Sequence, residues 1–417
     1  MVEGPGAAER RRRRLLVLGA GAAQLGLLEA ARALDLFTIA VDRDASAPGF
    51  PLADRRALIS TEDEPAIERL AEAERVDGVI APGIDWPVAV AARVARKLAL
   101  PHPLAPESAQ LATSKLRQRE RFAEAGVPQP ESVLCKSLAD ARAAAERLGF
   151  PCVVKAPDRQ GQRGLTLVEG EPGFRAAVEA AVEASRSRAC LVEELVEGQE
   201  VTVNAFSLGG RFYPLTVTDR VRADPPAFGV ALAHVWPSEL PPALVGAAVE
   251  AAREAADALG IGNGPTYTQV VVGPGGVRVV ELAARLGGGH DAELCDAALG
   301  VDLNELALAA ALGETIPPHA LTPLDPVGGA VTRFLVAPRG ELRRVGGVEE
   351  AEALPGVARV RVYRQPGHVF GELRLGSDRA GAVQATGASR EEALERAAAA
   401  ADRIRFVTAD VDAKALA

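Results

Sequence analysis

Apolar residues arrive along this chain in two rhythms. From Leu15 a continuous apolar run, LLVLGAG, gives way to AAQLGLLEAARALDL, with apolar positions three and four apart, and then to a second run, FTIAVDRD. Buried parallel strands read as unbroken apolar runs and crossover helices as stretches of period 3.6, so this is a strand–turn–helix–strand unit. The alternation continues through EPAIERLAEAERV, DGVIAPG and DWPVAVAARVARKLA, predicting a small doubly wound parallel sheet that ends near Pro103. A second stretch opens with the helical SKLRQRERFAEAGVPQP and passes through several β-rich segments to the helix after GVDLNELALAAALG. A third follows Pro317 and Pro318, where GGAVTRFLVAPRGEL, VARVRVYRQPGHVFGELRLGS and the helix SREEALERAAAAADRIRFV form a smaller α+β unit. The expected organisation is three domains: residues 1–110, an α/β unit; 111–316, the central one; and 317–417, α+β.

Composition narrows the classes. The 417 residues are 48% hydrophobic and 25% charged, enough apolar surface for several buried cores. With 47 Lys+Arg against 56 Asp+Glu, the net charge of −9 provides no field to gather nucleic acid. No uncharged run spans a membrane, which leaves a cytoplasmic protein with no nucleic-acid or membrane partner. Arg10 to Arg14 ahead of the first apolar run imitate a secretion signal, but Gln24 and Glu29 interrupt that run; the arginines are read as a solvated tail. Cys135, Cys152, Cys190 and Cys295 are far apart and near none of the five histidines in a metal spacing, so reduced, buried thiols are expected.

Three glycine groups carry candidate chemistry. Gly19, Gly21 and Gly26 occupy a strand-to-helix turn with Asp42 at the end of the next strand, close to a dinucleotide fingerprint. The third fingerprint glycine is Gln24, so a tight turn with close helix packing explains these glycines without NAD. In the second stretch Lys115 opens a helix, and Lys155 lies inside the apolar PCVVKAP followed by the loop DRQGQRG. A lysine buried in a strand needs an anion, and Gly161 and Gly164 would let backbone N–H groups approach phosphate oxygens. An edge strand with a solvated lysine and a plain hairpin is the competing reading. Further on, ACLVEELVEGQEV ends a strand in Glu193 and Glu194, passes Leu195, turns at Gly198 and resumes with Glu200. Such a connection could lie against an adenine edge while a carboxylate accepts from a ribose hydroxyl. Finally NGPTYTQVVVGPGGVRVVELAARLGGGHDAEL predicts a hairpin with Gln269 and Glu281 on adjacent strands, oxygen ligands suited to Mg²⁺, then Arg285 and Gly287 to Gly289.

The order of Lys115, Lys155 with its glycine loop, EELVEGQE and then Q…ELAARLGGG, behind a βαβ unit, resembles the ATP-grasp superfamily across nearly the whole chain. Within it the chain is similar to carboxylate–amine ligases of the L-amino-acid ligase type, relatives of biotin carboxylase and carbamoyl-phosphate synthase. AGVPQP, GFPCVVKAP, NGPTYTQ, RLGGGHDAEL and GVDL carry that likeness. The resemblance implies an N-terminal βαβ domain, an ATP-grasp fold of two α+β subdomains and a small C-terminal α+β domain.

It further implies ATP, with one or two Mg²⁺ (or Mn²⁺) ions, and small-molecule carboxylate and amine substrates joined through an acyl phosphate. Residue by residue, Lys115 and Lys155 would contact phosphates under the Gly161–Gly164 loop. Glu193, Glu194 and Leu195 would line the adenine hinge and Glu200 would meet the ribose. Gln269 and Glu281 would hold metal, and Arg285 would serve the acyl phosphate. The chain departs from the family at Gln269, where Glu is commoner, and at Ala283, where an Asn ligand is usual; Tyr267 and Ser114 also replace commoner residues. His234 and His290 lie nearby, where contact with substrate and a hydrogen-bonded structural role are the two readings, the second being the more frequent outcome for a histidine. Carboxylation through carboxyphosphate, a nicotinamide oxidoreductase and a non-catalytic nucleotide-binding protein are the other classes. The Ala-rich helices leave a homodimer open.

Overall fold

A computed structural model describes residues 11–410. The N-terminal unit is a four-stranded parallel sheet in the order Arg55–Leu58, Phe37–Asp42, Arg14–Leu18, Gly78–Ile80. The central strand sits between two cores, which is why it is apolar throughout. Leu16 and Leu18 face helix Trp86–Lys97 and, beyond it, helix Pro242–Ala258, whereas Leu15 and Val17 face helices Leu25–Ala33, Asp291–Leu299 and Leu303–Ala311. Residues far along the chain thus complete the first unit.

The glycine turn after the first strand is a packing device. Gly19 takes φ +114°, the Ala20 amide donates to Asp42 Oδ2 at 3.0 Å, and Gln24 Nε2 donates to the Pro82 carbonyl at 2.5 Å. A Cβ on Gly26 would lie 2.0 Å from the Glu293 carboxylate. The arginine run, expected as an idle tail, is instead a set of staples: Arg11 meets Asp77 at 3.2 Å, Arg12 meets Asp54 at 2.8 Å, Arg13 meets Glu314 at 2.7 Å, and Arg14 pairs with Glu74. Arg10 lies outside the described residues. The partners stand tens to hundreds of residues away in sequence, so no local pattern shows them.

The central stretch begins with helix Lys115–Ala125, whose C-terminus turns through Gly126 in the left-handed region. A four-stranded antiparallel sheet follows, in the order Ser132–Cys135, Cys190–Glu194, Cys152–Lys155, Leu165–Val168. Helices Leu138–Leu148 and Phe174–Ala184 cover one face, burying Cys135, Cys152, Cys190, Val154 and Val192. Strand alternation sends Val153, Lys155, Leu191 and Glu193 to the other face. All four cysteines are free and buried, as composition led one to expect.

The larger sheet has eight strands, in the order Gly276–Ala283, Gly264–Gly273, Gln199–Leu208, Arg211–Arg222, Ala231–Trp236, Gly329–Leu335, Gly381–Gly387, Val357–Val362. It runs unbroken across the expected boundary at 316/317, because Ala231–Trp236 pairs antiparallel with Gly329–Leu335. Helix Pro242–Ala258 packs its alanines on Val201, Val203, Val270 and Val272 of one face. The opposite face is polar yet buried, with Glu200, Thr202, Asn204, His234, Thr332 and Gln384 all under a tenth exposed. A buried polar wall is costly unless it is hydrogen-bonded or meets a ligand, and here Glu200, Asn204, His234 and Gln384 find partners in Arg220, Thr216, Asp291 and Thr332. In the last stretch, helix Arg390–Arg403 lies on strands Gly329–Leu335 and Gly381–Gly387, and a three-stranded sheet of Val369–Phe370, Gly340–Gly346 and Arg405–Ala409 completes the unit. Among the described residues no helix is long and apolar enough to cross a membrane.

Candidate functional site

The open face of the small sheet and the polar wall of the large sheet bring the expected charged residues together. Lys155 is on an interior strand, flanked on both sides, and its side chain is only 5% exposed. The solvated-edge reading is therefore wrong. Its Nζ meets Glu193 Oε2 at 2.5 Å, and Glu193 is held from its other side by Arg119, Nε to Oε1 at 3.0 Å. Arg119 also donates to the Val280 carbonyl at 2.7 Å, tying the helix of Lys115 to strand Gly276–Ala283. Burial pulls the Lys155 ammonium below the ordinary lysine range, with Arg119 and Lys115 adding to it and Glu193 opposing. Burial would raise the Glu193 carboxyl, but Arg119 and Lys155 outweigh it and hold the group at about 2.

One turn before Arg119 on the same helix, Lys115 Nζ lies 2.9 Å from Glu281 Oε1 and 2.8 Å from the Arg159 carbonyl. Burial would lower Lys115, yet Glu281 and Asp85 keep it raised. Gln269 and Glu281 are direct partners across the hairpin, as their positions in sequence implied. Ala283 faces Tyr267 in the same register and supplies no ligand atom. Among the described residues there is no group of three or more His, Cys, Asp or Glu arranged for a metal. The donor set, one carboxylate and one amide oxygen, fits a single Mg²⁺ that completes its shell with phosphate oxygens and water.

Arg285 leaves this hairpin toward the N-terminal unit. Its Nε and Nη2 lie 2.8 and 2.5 Å from Asp85 Oδ1, and its Nη1 donates to the Leu286 carbonyl at 2.9 Å. Gly161 and Gly164, at φ +66° and +68°, form the loop between strands Cys152–Lys155 and Leu165–Val168. A Cβ on Gly161 would meet nothing, whereas one on Gly164 would lie 2.7 Å from Ala184 Cβ, so the first glycine gives freedom and the second close packing.

The remaining expected residues are placed less directly. Glu194 points to the helix-covered side of its sheet, where Oε1 accepts from the Glu131 amide at 3.1 Å, and its carboxylate is not part of the cluster. Leu195 is half-buried in the connection after that strand. The turn at Gly198 is required by close approach, since a Cβ there would lie 2.3 Å from the Val272 carbonyl. Glu200 is buried, gripped by Arg220 at 2.8 Å and Arg222 at 3.1 Å. Gly287 to Gly289 clear space for side chains: Cβ atoms on Gly287 and Gly289 would lie 2.1 Å from Asp291 Oδ2 and 2.6 Å from the His234 ring. His234 Nδ1 and Asp291 Oδ1 are 2.8 Å apart; His290 bonds the Tyr363 hydroxyl at 2.6 Å and Glu293 at 3.1 Å. Both histidines are thus hydrogen-bonded in the core, His290 through both ring nitrogens and His234 through Nδ1.

Sequence reasoning missed Asp85, Arg119, Arg220 and Arg379. Arg119 had a signal, four residues after Lys115 and so on the same helix face. Asp85 read only as the start of a helix. Arg379 stacks 3.7 Å over the Phe334 ring and donates to the Gly376 carbonyl at 2.7 Å; nothing in its local sequence shows that it faces the polar wall.

Comparison with known proteins adds identity to this geometry. Residues 114–319 match the family described as carbamoyl-phosphate synthase L chain, ATP binding domain, and residues 333–409 match L-amino acid ligase C-terminal domain 2. The chain is 31% identical over 411 residues to a formate-dependent phosphoribosylglycinamide formyltransferase of Burkholderia lata, covering 95% of this chain and 96% of that protein. Its fold matches the L-amino acid ligase of Bacillus licheniformis with a TM-score of 0.79 at 22% identity, over 96% of this chain and 100% of that one. It also matches the biotin carboxylase domain of Hydrogenobacter thermophilus 2-oxoglutarate carboxylase, solved with MgADP and bicarbonate, with a TM-score of 0.78 at 18% identity, over 95% of this chain and 90% of that one.

Proposed function

The chain belongs to the ATP-grasp superfamily of carboxylate–amine ligases, ATP-dependent enzymes that form carbon–nitrogen bonds, and from that premise we propose that it activates a small carboxylate as an acyl phosphate and joins it to an amine. The observation that supports this most is the convergence of Lys115, Lys155, Glu281 and Arg285 between two sheets, beneath a glycine loop. A carboxylate oxygen attacks the γ-phosphorus, the bond from that phosphorus to the β-bridging oxygen breaks, and ADP leaves. The amine nitrogen then attacks the acyl carbon, phosphate departs with the carbon–oxygen bond electrons, and the amine proton passes to phosphate or solvent.

Lys155 and Lys115 would leave their carboxylate partners for phosphate oxygens, gaining an anion of higher charge at a buried position. Glu281 and Gln269 would hold Mg²⁺, which neutralises charge on the phosphates. Arg285 would orient the carboxylate, and the Gly161–Gly164 loop would exclude water from an acyl phosphate that otherwise hydrolyses. Two relatives frame the acid and the amine. The C-terminal match to an L-amino acid ligase domain favours amino acid substrates and a dipeptide-like product. The full-length likeness to a formate-dependent formyltransferase favours a second reading, formate as the acid and a phosphorylated amine as acceptor.

The test is ADP release with ATP and Mg²⁺ over paired acids and amines, formate included. Release that needs both an acid and an amine, and that collapses in Lys155→Met and Glu281→Ala, is the expected result. Unchanged release in those variants would contradict the reading.

A further inference from the structure

The loop from Asp158 to Gly164 is docked against the N-terminal unit, and the docking point is the residue that holds Arg285. Gln160 Oε1 accepts from the Asp85 backbone amide at 2.6 Å, while the Asp85 side chain grips Arg285 through Nε and Nη2. Asp85 is at the N-terminus of helix Trp86–Lys97, where its carboxylate makes no capping bond; Arg285 takes it instead. A second contact joins the same two bodies. Arg186 lies 4.0 Å over the Trp86 ring, pairs with Glu62, and is anchored to the loop base through Asp158, whose carboxylate accepts from the Arg186 and Ser187 amides at 2.9 and 2.8 Å. Between them, among Asp85, Lys115, Gln160, Arg163 and Glu281, only about 40 Å³ of space remains. That is room for a water or two. On the ligase reading, a triphosphate bound among these residues would need the loop to lift from this docked position.

We infer that Asp85 is a positioning residue that couples docking of the glycine loop to the orientation of Arg285. The inference rests on the ligase reading for its consequence but not for its geometry. When the loop is down, Gln160 fixes the backbone of Asp85, and the carboxylate fixes the guanidinium that faces the reacting carboxylate. When the loop lifts, the Asp85 amide loses its acceptor and Arg285 loses a rigid partner. Arg285 makes no hydrogen bond to the loop, so the coupling runs through Asp85. The closed loop and the ordered arginine then occur together, and an acyl phosphate forms only in the state that shields it.

The coupling can be read without substrate. Trypsin cuts after Arg163, which is exposed at the loop tip, and the nick reports how often the loop lifts. In the nucleotide-free protein, Gln160→Ala should speed that cut severalfold. Arg285→Met, although Arg285 makes no hydrogen bond to the loop, should speed it by at least threefold, Asp85→Asn similarly, and Arg285→Lys by less. Cleavage at other sites and the melting temperature identify any variant that has simply lost its fold, in which case Arg285→Lys and Asp85→Asn decide. If Gln160→Ala accelerates the nick while Arg285→Met and Asp85→Asn leave it at the parental rate, the coupling is wrong. A parallel arm with MgADP separates the two readings. Failure of MgADP to protect the parent loop counts against nucleotide binding, and the coupling still stands or falls on the nucleotide-free rates.

Discussion

Two buried clusters of charge in this protein are built from similar residues and balanced in opposite ways. The cluster around the glycine loop has four cations, Lys115, Lys155, Arg119 and Arg285, against three carboxylates, Glu193, Glu281 and Asp85. The cluster that joins the C-terminal strands to the N-terminal unit has Arg361 paired with Glu29 at 2.7 Å and Glu293 at 3.3 Å, with His290 and Tyr363 completing the hydrogen bonds. The second is closed on itself. The first holds surplus positive charge, which a protein interior tolerates poorly unless an anion arrives. The difference separates a site from a staple more clearly than burial does, since apart from Glu29, 39% exposed, the members of both are largely hidden.

The comparison breaks most visibly at Lys155. Replacing Lys155 with Met should cut amine-dependent ADP release by roughly two orders of magnitude or more, the scale seen when one charge-stabilising donor is removed. The melting temperature should change little, because Arg119 still pairs with Glu193. Arg361→Met should do the reverse. Glu293 would keep only His290, and the part-exposed Glu29 would lose its pair, so the change should cost about 1–3 kcal/mol of stability, read by denaturant unfolding, with little effect on turnover per folded molecule.

Acid should act on both clusters in the same window. The Glu193 and Glu293 carboxyls both sit at about 2 in the folded protein against an ordinary 4.5. A depressed carboxyl stabilises the fold fully above its unfolded value and loses that contribution as pH falls toward the folded one. Unfolding free energy should therefore decline between pH 4.5 and about 2, by on the order of 3 kcal/mol for each group. Glu293→Gln should remove one group's share of the decline, and an unchanged pH profile in that variant would show that the pairing does not govern it. The smallest expected effect is at Ala283. Since Gln269 and Glu281 offer few ligand atoms, Ala283→Asn should lower the Mg²⁺ concentration for half-maximal turnover a few-fold.

The sequence was legible where chemistry and spacing coincide. The parallel strands announced themselves as apolar runs, the hairpin put Gln269 opposite Glu281, and the order of lysines, glycine loop and EELVEGQE led to the right superfamily. What stayed hidden depends on contacts between distant segments. Glu193 was expected to line the adenine hinge, but its carboxylate is committed to Lys155 and Arg119, the latter 74 residues away. Arg285 was expected to wait for an acyl phosphate, whereas its partner Asp85 comes 200 residues earlier. The eight-stranded sheet crosses 316/317 because strand pairing ignores the prolines that punctuate the sequence there. Gly287 and Gly289, in the last of the three glycine groups, make room for Asp291 and His234.

The central claim is that the surplus cations serve an acyl-phosphate ligase. The most direct measurement follows ADP and the carbon–nitrogen product together over paired carboxylates and amines, with bicarbonate alone as a parallel arm. One product per ADP, dependent on both partners and abolished in Lys155→Met, is the predicted result. ADP release that needs bicarbonate and no amine, or nucleotide binding without turnover across the panel, would contradict it.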